Sequence, residues 1–391
     1  MGYVAKRLIG WINTYARPSH LRIISRDLFR LTGTILPARD HLRAVMEWLC
    51  RAQDATGCGG VSRGYHLDRG WGPPYPETTG YIVPTFLRYA RWANDDNYVA
   101  RALRMGEWEI EMQLPSGGIR EGMGDSGEPV VFDTGQAIFG WADLYQETGM
   151  KRFQAAAVRA ADWLTENQDN NGSWSRYAYM NIPHTYHTRV AWSLLEVYRL
   201  TGDERYRAAA KKNIGWTLAQ AEGNGWFRDM GFTRDEAPLT HTIAYTLRGL
   251  LESSGYLEKD ERSGIEALVR KPLENILLNY RSTGNLSGLL PARLNRDWKS
   301  EDTYSCLVGD AQISILWLKL SRIDNDLRFF EAGSQLIDRI KATQSLDSGN
   351  PGIRGGIAGS YPIWGKYIPF AYTNWSAKFF ADALILQMEC I

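Results

Sequence analysis

The feature that most restricts this chain is a repeat. Five segments open on a short polar signal and run into an apolar helical pattern: ETTGYIVPTFLRYA at Glu77, DTGQAIFGWADLY at Asp133, HTRVAWSLLEVY at His187, HTIAYTLRGLLE at His241 and DAQISILWLKL at Asp310. A sixth, YTNWSAKFFADALIL, begins near Tyr372, and the successive starts are 56, 54, 54, 69 and 62 residues apart. Each of the first five is followed by a second, more charged helical stretch, such as RYRAAAKKNIGWTLAQ after Gly202. Residues 40–53, DHLRAVMEWLCRAQ, supply the missing partner for the last segment. Internal repeats of this length are stacked supersecondary units that bury their apolar faces on one another. Six helix pairs closing on themselves give an all-α, (α/α)6 barrel. The apolar helix of each pair faces inward and the charged one outward. The expected organisation is a toroid over residues 40–391 preceded by an arm, residues 1–39.

Bulk properties narrow the function. A 44% hydrophobic content supports a large core, and a net charge of +1 argues against a protein that coats nucleic acid. The cysteines Cys50, Cys58, Cys306 and Cys390 have neither CxxC nor zinc-finger spacing, which fits a reducing, cytoplasmic compartment and no cysteine metal site, while Glu77, Asp133, His187 and His241 are residue types a metal could bridge. The arm carries Lys6, Arg7, Arg17, Arg22, Arg26, Arg30 and Arg39 against a single acid, Asp27. It is too short and too polar to span a bilayer, and it lacks a signal peptide's apolar run. With Leu8, Ile9, Trp11 and Ile12 it reads as a strap on the barrel or a peripheral contact with an anionic membrane surface.

A second repeat lies in the loops. After each outer helix comes a Gly-rich stretch with an arginine: Arg63, Arg120, Arg176, Arg228, Arg293 and Arg354. These loops lead into the inner helices, so the arginines are expected to ring one mouth and to bind a carboxylate or sulfate in bidentate fashion. A structural role, tying each loop to a helix, is the alternative. Aligning the repeats puts Glu77, Asp133, His187, His241, Asp310 and Tyr372 at equivalent helix starts around that mouth. Asp is a good helix cap, but histidine is a poorer one. Two of the chain's six histidines crowd into NIPHTYHTRVAW, with Asn181, His184, Tyr186, His187 and Arg189 close together. The loops add aromatic side chains, among them Trp71, Tyr75, Trp174 and Trp226, suited to the C–H faces of sugar rings.

The repeat resembles the six-hairpin toroids shared by many glycosidases, polysaccharide lyases and sugar epimerases. HTYHTRVAW is similar to the Asn-His-x-Tyr helix start of alginate-lyase-type toroids, although Asn181 stands three residues before His184. NQDNNGSW resembles the Gln…Gly-x-Trp repeats of terpene cyclases, without their DxDD motif. GGVSRGYHLDRGWGPPYPETTGYIVPTF is similar to bacterial proteins associated with extracellular polysaccharide synthesis.

Three functions follow. The first is β-elimination or C5 epimerisation of a uronate-containing polysaccharide. In it His187 or His241 is the base, Tyr186 or Tyr372 the acid, and Arg189, a rim arginine and Asn181 neutralise the carboxylate. The second is hydrolysis by the paired carboxylates Glu77 and Asp133. The third is a non-catalytic glycan-binding protein of a polysaccharide assembly. Under each reading the partner is an acidic glycan, with no cofactor and no nucleic acid.

Overall fold

The computed structural model describes residues 14–15, 17–31, 33–122, 127–282 and 288–390. Lys6, Arg7, Leu8, Ile9, Trp11 and Ile12 of the arm lie outside the described residues. A short helix, α1 (Pro18–Leu28), precedes six helix pairs. The outer helices are α2 (Ala38–Asp54), α4 (Asn97–Met112), α6 (Lys151–Glu166), α8 (Glu204–Leu218), α10 (Lys259–Ser282) and α12 (Leu327–Thr343). The inner ones are α3 (Pro76–Ala93), α5 (Val131–Thr148), α7 (Thr188–Thr201), α9 (Thr240–Ser254), α11 (Leu307–Asp324) and α13 (Asn374–Glu389). Each inner helix packs on the next, and α13 returns to α3. Each outer helix packs on its inner partner, and α2 covers α13, so the ring closes across the whole sequence. This is the (α/α)6 toroid that the repeat predicts.

The inner helices are apolar nearly all round because they touch neighbours on every side. In α5 the run from Val131 to Ala142 is buried without interruption. The outer helices keep a one-sided stripe, as in α4, where Ala102, Met105, Gly106, Trp108 and Glu109 are buried. Glycines set how close the inner helices come. A Cβ on Gly80 of α3 would lie 2.5 Å from Ala137 Cα, and one on Gly140 of α5 would lie 2.5 Å from the Gly80 carbonyl oxygen. The backbones of α3 and α5 therefore touch.

A repeated glutamine fastens the outer ring. Gln53, Gln113, Gln168 and Gln344 stand at the ends of outer helices. Each side-chain amide donates to the carbonyl of its own loop glycine: Gly59 at 2.9 Å, Gly117 at 2.9 Å, Gly172 at 3.0 Å and Gly355 at 2.7 Å. The same nitrogens donate to the next outer helix, at Arg101 (3.0 Å), Ala156 (2.9 Å), Ala209 (2.9 Å) and His41 (3.4 Å). The last contact joins α12 to α2 and closes the circle. Gln168→Ala removes two of these bonds and is expected to lower unfolding free energy in urea by about 1–3 kcal/mol. Gln220, which donates only to Trp216 of its own helix at 3.0 Å, is the control and should cost little when replaced.

The loops leaving the outer helices are tied to the inner helix starts. Thr79 accepts the Val61 N–H at 3.0 Å, Thr134 the Ile119 N–H at 2.8 Å and Asp310 the Leu290 N–H at 2.9 Å. Short strands bind the loops to one another: β1 (Gly64–His66) lies between β2 (Gly70–Trp71) and β5 (Ala371–Thr373), and β3 (Ser305–Cys306) pairs with β4 (Ser360–Tyr361), all antiparallel.

Candidate active site

A pocket of about 900 Å³ opens where the inner helices begin, within the size range of ligand sites. Glu77 and Asp133 occupy the first turns of α3 and α5, one turn before Gly80 and Ala137, where the two backbones meet. Pro76 at the helix start has no N–H to lose and pre-sets the first turn, so Glu77 is delivered to the wall in a fixed register. Both carboxyls line the pocket with Tyr75, Glu121, Tyr186, His241, Tyr245 and Trp375. Arg176, Asn181, Phe232 and Lys366 are set around the same cavity.

The two carboxyls differ in what surrounds them. Burial pushes Glu77 up to about 7, against the hydroxyl that Tyr75 donates to it and the nearby Arg189 charge, which favour its ionised form. Asp133 is 5% exposed and is raised well above the usual carboxylate range, first by burial and then by facing Glu77 and Glu121. Backbone N–H groups of Asp133 itself and of Gly122 oppose that rise without cancelling it. Both carboxyls are therefore harder to ionise than free ones, and each makes the other's proton harder to remove.

The histidines do not provide a comparable group. His241 lines the pocket, but burial, reinforced by Arg189, drives it down to about 3, so it stays neutral and a weak base. His187 is fully buried outside the pocket lining, its ring 5.1 Å from Tyr186, 5.4 Å from His184 and 6.1 Å from Trp174. Burial holds it far below its ordinary value, and neither ring nitrogen has a hydrogen-bond partner among the described residues. His184 is spent on the backbone, its Nδ1 3.0 Å from the Gly231 carbonyl oxygen and its Nε2 2.9 Å from that of Tyr179. Tyr186 stacks on His184 at 4.5 Å and is raised well above 10 by burial, so it keeps its proton. Arg189 lies behind Tyr245, its guanidinium 4.9 Å from that ring and its Nε donating to Gln136 at 2.9 Å.

Of the six aligned helix-start residues, Glu77, Asp133 and His241 reach the pocket, and His187, Asp310 and Tyr372 do not. Asp310 is out of step with Asp133. It accepts the Leu290 N–H and the Ser305 hydroxyl, doing for its loop what Thr134, the residue after Asp133, does for Ile119. Tyr372 is locked in β5 opposite Tyr65, 1% exposed, and the wall position near it belongs to Trp375.

Among the loop arginines only Arg176 lines the pocket, lying 4.5 Å over the Tyr177 ring. Arg120 points to solvent, Arg228 donates to the Ala219 carbonyl, Arg293 pairs with Asp302 at 2.8 Å, and the Arg354 carbonyl accepts from Arg51. Arg63 lies off the pocket against Gly72. Trp71 packs on Trp48 and Tyr65, Trp174 donates to the Leu164 carbonyl at 2.9 Å, and Trp226 packs on Trp298, so all three are structural. Tyr245 went unread in the sequence although it lies one helical turn after His241. Glu121, Phe232, Lys366 and Trp375 were missed because nothing in the repeat marks which loop side chains turn inward. Among the described residues, no group of three His, Cys, Asp or Glu side chains is arranged to hold a metal ion.

A closed ring of six helical hairpins, with its pocket at the inner helix starts, defines the (α/α)6 toroid. Within it, residues 119–266 match the family model of the β-L-arabinofuranosidase GH127 catalytic domain. Solved structures share the fold. An unsaturated glucuronyl hydrolase specific for heparin superposes with a TM-score of 0.71 at 14% identity, covering 90% of this chain and 97% of that one. The unsaturated glucuronyl hydrolase of Bacillus sp. GL1 gives 0.69 at 15%, covering 89% and 96%. The cellobiose 2-epimerase of Bacillus thermoamylovorans B4167 gives 0.65 at 13%, covering 89% and 97%. A 114-residue stretch is 29% identical to a phosphoenolpyruvate carboxylase of Pseudomonas entomophila (strain L48), 29% of this chain and 11% of that protein's length. That short overlap carries no argument about activity.

Proposed function

We propose that the protein is a glycoside hydrolase that cleaves a sugar chain with Asp133 as general acid and Glu77 as its ionised partner. The observation that carries this is the pair of buried carboxyls, Glu77 and Asp133, set on the first turns of the adjoining helices α3 and α5 in the wall of one pocket, both raised by burial. Asp133 gives its proton to the glycosidic oxygen as the C–O bond breaks. Glu77 either takes a proton from the incoming water or attacks the anomeric carbon, the two roles open to the second carboxylate. The match to a glycoside hydrolase catalytic domain over residues 119–266, which include Asp133, supports the same reading.

Elimination or epimerisation at C5 by a histidine or tyrosine base has less support. His241 is too weak a base, His187 is out of reach, and the tyrosines hold their protons. An acidic substrate also has less support than the loop arginines suggested. Arg176 and Lys366 share the wall with Glu77, Glu121, Glu128 and Asp133. The test is mass spectrometry of products formed from a panel of neutral and acidic glycans in heavy-oxygen water. Hydrolysis puts one heavy oxygen on each cleaved end. Products lighter by one water, with no label, would instead mean elimination and sink the proposal.

A further inference from the structure

The surface departs most from the ordinary at α1 and the residues after it. Leu28, Phe29, Leu31, Ile35 and Leu36 are 61%, 69%, 59%, 48% and 39% exposed. Leu21, 44% exposed, lies two turns before Leu28 on the same face of α1. Five large apolar side chains in solvent within nine residues are a patch, not scattered exposure. Arg17, Arg22, Arg30 and Arg39 are exposed around it. Arg22 pairs with Asp347 at 2.7 Å, whereas Arg17, Arg30 and Arg39 have no ion pair with any described residue. The acid of this stretch, Asp27, is 3% exposed and occupied by Arg26 and the Ile363 N–H.

Apolar side chains fringed by three unpaired guanidiniums and the exposed Arg22–Asp347 pair, net positive, complement a surface that is apolar beneath and anionic on top. That is the headgroup layer of an acidic bilayer. The patch is also fastened to the pocket. Asp27 accepts the Ile363 N–H at 2.9 Å, and the Tyr15 ring meets Phe370 at 6.1 Å. The loop between those contacts supplies Lys366, Tyr367 and Ile368 to the pocket wall. Among the described residues no helix is long and apolar enough to cross a membrane, so contact through α1 is lateral.

We propose that α1 and the segment through Leu36 dock the protein on an anionic lipid surface, holding the Lys366–Ile368 wall of the pocket beside the membrane. The docking does not depend on which reaction the pocket performs. If the hydrolase reading holds, the substrate presented there is a glycan held at the lipid surface.

The test is co-sedimentation of the full chain with sucrose-loaded vesicles of phosphatidylcholine, with or without a quarter of phosphatidylglycerol. Binding is expected to be at least about tenfold stronger to the phosphatidylglycerol vesicles and to fall as salt is raised, since exposed charges are screened. The triple variant Leu28→Ser/Phe29→Ser/Leu31→Ser and the separate variant Arg30→Glu/Arg39→Glu should each lose at least about tenfold of that binding. Both should melt at the parent temperature and keep their activity on soluble glycan. No binding by the parent chain, or equal binding by the arginine variant, overturns the proposal. Absence of vesicle binding together with a concentration-dependent dimer would give the patch to a second copy instead. Loss of hydrolysis in heavy-oxygen water would leave the vesicle result untouched, so the two proposals fail separately.

Discussion

Asp133→Asn should lower kcat/KM on whatever glycan the pocket cleaves by at least about a thousandfold, within the range that a positioned acid contributes. The amide keeps the shape and loses the proton. Under the proposed hydrolysis, activity in the parent protein needs Glu77 ionised and Asp133 protonated. The pH profile therefore has an acidic limb near 7, set by Glu77, and an alkaline limb set by Asp133, which burial raises from its ordinary value. The Asn variant loses the alkaline limb along with the rate. Unchanged turnover would remove Asp133 from the chemistry. Stability moves the other way. Asp133 binds its proton more tightly folded than unfolded, so its contribution is full below the unfolded value of about 4 and is lost as pH rises through the raised folded value. Asparagine has no such loss. The variant is expected to melt about 1–3 °C higher than the parent at pH 8 and at the same temperature at pH 3, a trade of stability for activity common at catalytic sites.

Gly80→Val is expected to damage both fold and site. Its Cβ would fall 2.5 Å from Ala137 Cα and 2.9 Å from the Gln136 carbonyl, and these are backbone atoms that cannot swing aside. Relief requires α3 and α5 to separate. Overpacking of this kind costs about 1–3 kcal/mol or more, readable as a lower urea midpoint. The same separation pulls Glu77 from Asp133, and small displacements of reacting groups cost about a hundredfold in rate. Gly264→Val on α10, where an added Cβ meets nothing within 4 Å, is the control and should leave activity intact.

The toroid was legible because its signal is global. A 54–69 residue repeat and the pairing of residues 40–53 with the final segment survive errors at any single position. Glu77 and Asp133 were legible for the same reason, being set at helix starts by the repeat. The alignment slipped at Asp310 because Asp and Thr both accept a loop N–H, and a one-residue offset turns a pocket carboxylate into a loop tie. The arginines misled because loop backbone direction, not residue type, decides whether a side chain faces the mouth or the neighbouring loop. What a local window could not show of the histidine cluster is burial, which leaves His187 outside the pocket lining and lowers both His187 and His241.

The glutamine fastening of α12 to α2, with α2 also covering α13, has a consequence for synthesis. Of the helices that complete the circle, α2 and α13 lie more than three hundred residues apart. A growing chain stacks hairpin on hairpin as an open arc, with the apolar face of α2 waiting for α13 to emerge. Contacts of such sequence separation form late. Until then the arc can accept the closing helix of another chain, the route by which domain-swapped assemblies arise. Crowded translation of this protein should therefore raise the yield of swapped oligomers, while dilute refolding should favour the self-closed ring.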